Sequence, residues 1–165
     1  MKFLCCLFLF LNVVGIKAQK SDSDRIRLQY PKAVSDKNIC KSMISELEKK
    51  DLQYIDLAYL GAFQAVLANH VLNPISKLSS FKKGKNNIEK AIRQNPNETE
   101  IRFIRLSIQY SIPKFLGYKS DIDTDKDFIL KNFKNIENPN LKKLIRDFFE
   151  GSDLITKDEK HFLEN

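Results

Sequence analysis

The stretch LGAFQAVLANHVLNPISKLSSFKKGK, residues 60–85, contains one glycine near each end and an Asn-Pro pair between them. Apolar residues recur at helical spacing over residues 52–70 and again over residues 73–95, which predicts two helices joined by a short turn. At about 1.5 Å of rise per residue, Gly61 and Gly84 then meet at the same height of an antiparallel hairpin. Because a glycine inside a helix costs about 1 kcal/mol relative to alanine, the pair predicts that the two backbones approach closely.

The rest of the chain has the composition of an all-α protein. Its 165 residues contain only five glycines and five prolines, and no segment alternates apolar and polar residues as a half-buried strand does. Five further helices are predicted, at residues 35–50, 97–112, 124–136, 141–150 and 156–164. We therefore expect antiparallel helical hairpins packed around one core.

Short polar motifs mark where these helices begin. Asparagine precedes proline at three positions, which suits a helix cap followed by a proline-tolerant first turn: Asn73, Asn95 and Asn138. At the second of these joints, Pro96 ends one helix and Asn97 with Glu100 has the spacing of a capping box. Thr156 with Glu159 has the same spacing before the final helix.

The amino terminus has the pattern of a secretory signal peptide. Residues 1–18, MKFLCCLFLFLNVVGIKA, combine a positive start, an apolar run and a small residue before the expected cleavage site after Ala18. The apolar run is shorter than the roughly 20 residues that cross a bilayer, so no stable membrane span is expected after cleavage. Residues 19–34 are polar and are predicted to form a flexible lead. Residues 35–165 are predicted to form a single helical domain.

Composition argues against several functional classes. Signal cleavage would leave Cys40 as the only cysteine, so no disulfide framework is expected. The formal charge of +7 is spread among many acidic residues, which predicts weak attraction to anionic surfaces and no nucleic-acid binding. His70 and His161 have no second ligand at metal-binding spacing, and no glycine-rich phosphate loop or nucleophile turn occurs. We predict no catalytic residue, metal or cofactor.

The acidic stretch DIDTDKDFILKN, residues 121–132, has the alternating acids that open a calcium-binding loop. Such a loop needs glycine at its sixth position and glutamate at its twelfth, where this chain has Lys126 and Asn132. A helix start explains the acids better, with Thr124 as the cap and Asp127 reaching back to it.

Two resemblances extend these expectations. Leu60-Gly61, Ala91-Ile92 and Asn95-Pro96 resemble the signature of the tetratricopeptide repeat, which implies hairpins stacked as a degenerate tetratricopeptide-like array. The strings NPISKLSSFKKGKNNIEKAI, NPNETEIRFIRLSIQ and IPKFLGY resemble uncharacterised exported helical proteins of Bacteroidetes. That likeness implies a periplasmic or secreted protein of a Gram-negative bacterium and implies no activity.

Arg102, Arg105 and Gln109 share one face of a predicted helix and form the candidate ligand-binding site. In the repeat family, Arg102 and Gln109 would line the peptide groove. One interpretation is a clamp for the carboxylate of a peptide or acidic ligand, since guanidinium binds carboxylate through two hydrogen bonds. The other is structural pairing with an acid of a neighbouring helix, for which the candidates are Glu46, Glu48, Asp51 and Asp56.

The sequence thus favours an exported, non-enzymatic helical scaffold that binds a peptide or protein partner. Two alternatives stay open. One is an envelope enzyme of unrecognised type, which would need convergent titratable groups in a cleft. The other is a structural subunit that binds an anionic surface through the lysine-rich stretch of residues 77–90.

Overall fold

The computed structural model of the chain describes residues 12–164, without the side chains of residues 12–21, Phe162 and Glu164. Within that range the chain forms helices and connecting turns and no strand, so the all-α prediction is confirmed. The helices are α1 (Asn12–Ser35), α2 (Lys37–Leu47), α3 (Tyr54–Leu67), α4 (Pro74–Gln94), α5 (Thr99–Ser111), α6 (Ile122–Asn132), α7 (Pro139–Glu150) and α8 (Lys157–Glu164). Single turns of 3-10 helix occupy Ala68–His70, Lys114–Leu116 and Phe133–Asn135.

Helices α3 and α4 form the most extensive contact between elements. A Cβ atom placed on Gly61 would lie 2.7 Å from the carbonyl oxygen of Gly84 and 2.9 Å from the amide nitrogen of Ile88. One placed on Gly84 would lie 2.6 Å from the amide nitrogen of Ala65. The two helices therefore run antiparallel with their backbones in contact, and the close approach predicted for the glycine pair is present.

The flexible lead predicted for residues 19–34 is helical in the structure, and this prediction is wrong over the residues whose side chains are described. Ile26, Tyr30 and Ala33 of α1 are buried against the core, at the spacing of four and three that defines one helical face. The apolar face of α1 is hard to recognise in the sequence, because so few of the residues in this segment are apolar. Arg27 is also buried, because Glu100 of α5 compensates its charge.

Helix α5 lies between two apolar clusters and contributes to both. The larger cluster contains residues of α1, α2, α3 and α4 and includes Ile101, Ile104 and Ile108 of α5. The smaller cluster joins α6, α7 and α8 and includes Phe103 and Leu106 from the other side of α5. A helix that is apolar on two faces is buried between neighbours, which explains how α5 links the two halves of the fold.

The predicted helix starts have mixed outcomes. Asn73 caps α4, because its side-chain oxygen accepts hydrogen bonds from the amides of Ile75 and Ser76 at 2.9 and 3.1 Å. Asn138 caps α7 in the same way, accepting from the Leu141 amide at 3.0 Å. The capping box of the last helix is also confirmed. Its two bonds, from the Thr156 amide to Glu159 and from the Glu159 amide to Thr156, measure 2.7 and 3.2 Å.

The capping box predicted at Asn97 is wrong. Helix α5 begins at Thr99, and Glu98 caps it by accepting from the Glu100 amide at 3.3 Å. Glu100 turns inward toward Arg27 instead of back toward Asn97. The carbonyl of Pro96 accepts a hydrogen bond from Nε of Arg102 at 2.7 Å. An arginine side chain therefore stabilises the turn between α4 and α5.

Helix α6 also begins earlier than predicted. Its first residue is Ile122, so Thr124 lies inside the helix and does not cap it. The carboxylate of Asp125 is fully buried and binds arginines of α5.

The predicted signal peptide lies only partly within the described residues. Residues 1–11 are outside them, and residues 12–18 form the first turns of α1. Between residues 12 and 164, no helix combines the length and the hydropathy that crossing a bilayer requires.

Candidate functional site

An apolar cleft of about 480 Å³ lies between α1, the end of α3, the start of α4 and the end of α5. Its walls come from Tyr30, Ala65, Val66, Phe81 and Ile108, all of them buried core residues. The turn that follows α5 closes one side of the cleft. Ligand sites in proteins are typically clefts of about 300–1,000 Å³ with mainly apolar walls, and this one lies in that range.

Exposed apolar side chains surround the mouth of the cleft. Val34, Leu78 and Phe115 line it with 53, 42 and 85% of their surfaces exposed. Ile75, 80% exposed, lies one helical turn before Leu78 on the same side of α4. Single exposed apolar residues are ordinary, but a group of them around an apolar cavity is typical of a surface that contacts a ligand or partner.

Local backbone features hold this rim in place. The Asn73 cap fixes the start of α4, so Ile75 and Leu78 project from its first two turns. Phe115 lies in the 3-10 turn Lys114–Leu116, which ends at Gly117 with φ 60°. That conformation suits glycine and lets the chain turn back toward Tyr118.

The polar groups near the cleft floor are already bonded within the protein. The Tyr30 hydroxyl lies 2.8 Å from Oγ of Ser107, and burial raises the pKa of Tyr30 to about 12. The Ser111 hydroxyl donates to the carbonyl of Ser107 at 2.7 Å. Of the described residues that line the cleft, Lys77 alone carries a formal charge. This arrangement can enclose an apolar group and has one cation at its mouth.

The sequence did not reveal this cleft. Ile75 and Leu78 continue the helical spacing of Phe81, Ile88 and Ile92, which predicts one packing stripe along α4. The structure buries the last three and leaves the first two exposed, because no described helix covers the first turns of α4. The sequence signal for the cleft is that the apolar stripe of α4 begins before the segment that packs against α3.

The predicted arginine site is occupied by the protein's own carboxylates. Arg105 donates to Asp125 through Nε and Nη2 at 2.7 and 2.8 Å, and Arg102 donates to the same carboxylate at 2.8 Å. Gln109 is fully buried and donates to Asp121 at 3.2 Å. The partners suggested from the sequence, Glu46, Glu48, Asp51 and Asp56, are wrong: the acid that binds both arginines is Asp125 of α6.

Electrostatics reinforce this internal pairing. Burial opposes the charge of Arg105, but the hydrogen bonds and charge of Asp125 outweigh it and raise the pKa of Arg105. Glu89 and Asp121 also lie 3.5 Å from its Nη1 atom. Arg102 is further held over the Phe128 ring at 4.3 Å. The structural interpretation of these arginines therefore describes them better than a clamp for an external carboxylate.

A second, polar cavity of about 380 Å³ lies beside Arg27 and Glu100. Glu100 accepts from Nη2 of Arg27 at 2.7 Å and from the Tyr59 hydroxyl at 2.8 Å. Burial, followed by the charge of Glu100, raises the pKa of Tyr59 well above its ordinary value. A carboxylate that already accepts three hydrogen bonds, including one to each of its oxygens, is poorly suited to act as a general base.

Cys40 and His70 serve local structure. Sγ of Cys40 is buried and donates to the Phe63 carbonyl at 3.2 Å, and burial raises the pKa of the thiol to about 11. Nε2 of His70 lies 2.8 Å from the Ala33 carbonyl oxygen. Across residues 12–164, no group of three or more potential ligands is placed to hold a metal ion.

Comparison with known proteins identifies no relative of this chain. No protein-family model, curated protein or solved structure matches the chain.

Proposed function

We propose that this chain is an exported, non-enzymatic helical binding protein whose apolar cleft holds the apolar part of a ligand or partner. The observation that carries the proposal is the cleft of about 480 Å³ with a mouth of exposed apolar side chains. This site replaces the helical face of Arg102, Arg105 and Gln109, whose polar groups bind carboxylates of the same chain.

The energetics favour an apolar ligand. Removing apolar surface from water contributes about 25 cal/mol per Å². Val34 and Phe115 line the cleft mouth and leave 53 and 85% of their surfaces in water, so a ligand that covers them gains from both rim and interior. The walls are already packed as core, so little ordering cost accompanies occupancy.

Two further arguments support the non-enzymatic and exported parts of the proposal. An enzyme needs converging groups with pKa values suited to proton transfer, and the described cleft residues offer a lysine at the mouth and a tyrosine bonded to Ser107. Export rests on the signal-like residues 1–18 and on the resemblance to exported proteins of Bacteroidetes. The tetratricopeptide-like stacking of hairpins rests on sequence resemblance in the same way.

Binding of a neutral fluorescent apolar probe, N-phenylnaphthylamine, tests the proposal. We expect saturable binding to the purified full chain, weakened about tenfold by Leu78→Asp, because occupancy would then desolvate a carboxylate. Leu28→Asp is the matched control, since Leu28 is 51% exposed on α1 and does not line the cleft. Equal probe binding by the two variants would refute the cleft as the binding site.

A further inference from the structure

We propose that the ligand of the cleft is a single-chain anionic amphiphile, with its hydrocarbon chain in the cavity and its carboxylate or phosphate head on Lys77. This inference rests on the proposed binding function and specifies the ligand chemistry of the same site.

The first observation is the state of Lys77. It lines the cleft mouth, is exposed, and forms no hydrogen bond or ion pair with any described residue. Two other lysines of the same helix are engaged: Lys83 donates to Glu48 at 2.7 Å, and Lys85 lies 4.6 Å from the centre of the Tyr118 ring. Lys77 is therefore available to an external anion.

The second observation is that no carboxylate of the described residues pairs with this cation. None of the described residues that line the cleft is acidic. Glu89, on the same helix as Lys77, accepts from the Tyr118 hydroxyl at 2.6 Å and faces Arg105. The mouth is thus positive at an otherwise apolar surface, which is complementary to a negative head group attached to an apolar chain.

The third observation separates a hydrocarbon chain from a peptide. Each peptide unit brings an N–H and a C=O that need partners when they are buried. The hydroxyls near the cleft floor, on Tyr30 and Ser111, are already bonded to Ser107. A methylene chain makes no such demand, and each methylene that leaves water favours binding. The interior therefore suits a chain without polar groups.

Competition against N-phenylnaphthylamine on the full chain tests the proposal. The competitors are dodecanoate, dodecyl phosphate, dodecanol and inorganic phosphate, each below any micelle-forming concentration. We expect either anionic amphiphile to bind about fivefold more tightly than dodecanol, the preference typical of a partly exposed ion pair. Inorganic phosphate alone should not compete. The stronger of the two anions identifies the head group.

Paired lysine variants locate the head group. Lys77→Gln should abolish the preference for the anions, so that this variant binds dodecanol and both anions with equal affinity. Lys82→Gln, an exposed lysine of the same helix that does not line the cleft, should preserve the preference. Equal binding of dodecanol and both anions by the unmodified chain, or a preference that survives Lys77→Gln, would overturn the proposal while leaving the binding function intact.

Two other outcomes separate this inference from the proposed function. If the probe and every amphiphile fail to bind, the binding function itself fails and the inference fails with it. If the chain instead self-associates, and Leu78→Asp abolishes association while dodecanoate does not compete, the occupant is a second copy and the amphiphile is excluded. Analytical ultracentrifugation distinguishes these results.

Discussion

Asp125 of α6 accepts two hydrogen bonds from the guanidinium of Arg105 in α5, at 2.7 and 2.8 Å, and its side chain is fully buried. The same carboxylate also accepts from Arg102. This one acid therefore pairs with two arginines and joins α6 to α5.

Asp125→Asn should consequently destabilise the protein strongly. The change preserves the volume of the side chain but leaves Arg105 buried without full charge compensation, which typically costs about 3–5 kcal/mol. Urea denaturation measures the loss. Asp127→Asn, on the same helix with 73% of its side chain exposed, should change the free energy of unfolding by less than about 0.5 kcal/mol. Equal effects of the two changes would contradict the structural role of Asp125.

Gly84→Ala should destabilise the protein although alanine is the better helix former. The gain in helix propensity is about 1 kcal/mol. The new methyl group would meet the Gly61 carbonyl and, at 2.6 Å, the Ala65 amide nitrogen, and backbone atoms cannot rotate away. Overpacking of this kind costs about 1–3 kcal/mol, so after the gain in propensity we expect a net loss of up to about 2 kcal/mol.

Gly151→Ala is the control for that substitution. A Cβ atom on Gly151 would find its nearest neighbour, the Asp147 carbonyl oxygen, at an ordinary 3.4 Å. The free energy of unfolding of the Gly151→Ala protein should equal that of the unmodified protein or exceed it slightly. Thermal or urea unfolding of both variants gives the comparison, and a stabilised Gly84→Ala protein would show that α3 and α4 are farther apart than described.

The thiol of Cys40 should be unreactive in the native protein. Burial raises its pKa to about 11, so almost none of it is thiolate at pH 8. The side chain is also buried, so a reagent cannot reach the sulfur in the folded protein. Iodoacetamide labelling followed by mass spectrometry of the Cys40 peptide should show modification only in denaturant. Rapid labelling under native conditions would contradict the packing of α2 on α3.

Acid should weaken the contact between α1 and α2. Hydrogen bonds from Lys50 and Arg25 lower the pKa of Asp22 below 3.8, and one from Arg25 lowers the pKa of Glu46 below 4.5. Because both folded-state pKa values lie below the unfolded ones, the stabilisation is complete above about pH 4.5 and is lost as pH falls through the folded values. The acids are 40 and 32% exposed, so solvent screening limits the effect to less than about 1 kcal/mol.

Glu46→Gln isolates this contribution. At pH 7 the variant should be slightly less stable than the unmodified protein, and the difference should shrink toward zero as the pH falls through the lowered folded-state pKa of Glu46. Urea midpoints across this range measure the gap, and a gap that is independent of pH would show that the carboxylate charge contributes nothing.

Local patterns predicted the parts of the fold that depend on neighbouring residues. Helical spacing located α3, α4 and α5, and the heights of Gly61 and Gly84 predicted their contact, because one turn fixes the register of an antiparallel hairpin. The Asn73 and Asn138 caps were equally local, since each cap bonds amides within three residues.

Features that depend on distant residues were missed. The buried position of Arg27 requires Glu100, which is 73 residues away, so a polar segment was mistaken for a flexible one. Asp125 was assigned to a helix start because its acidic neighbours suit one, while its actual role depends on where α6 packs. The cleft was hidden for a related reason: Ile75 has the spacing of a core residue, and only tertiary structure shows that nothing described covers it.

The attachment of α1 has a consequence for the order in which the molecule assembles. Its Arg27 binds Glu100, and its Asp24 accepts from Asn138 across a separation of 114 residues at 2.8 Å. A polypeptide emerging amino terminus first cannot secure this helix until most of its length is available, and contacts so far apart in sequence slow folding. The native packing of α1 can therefore form only after residue 138 has been synthesised, which makes it a late event in folding.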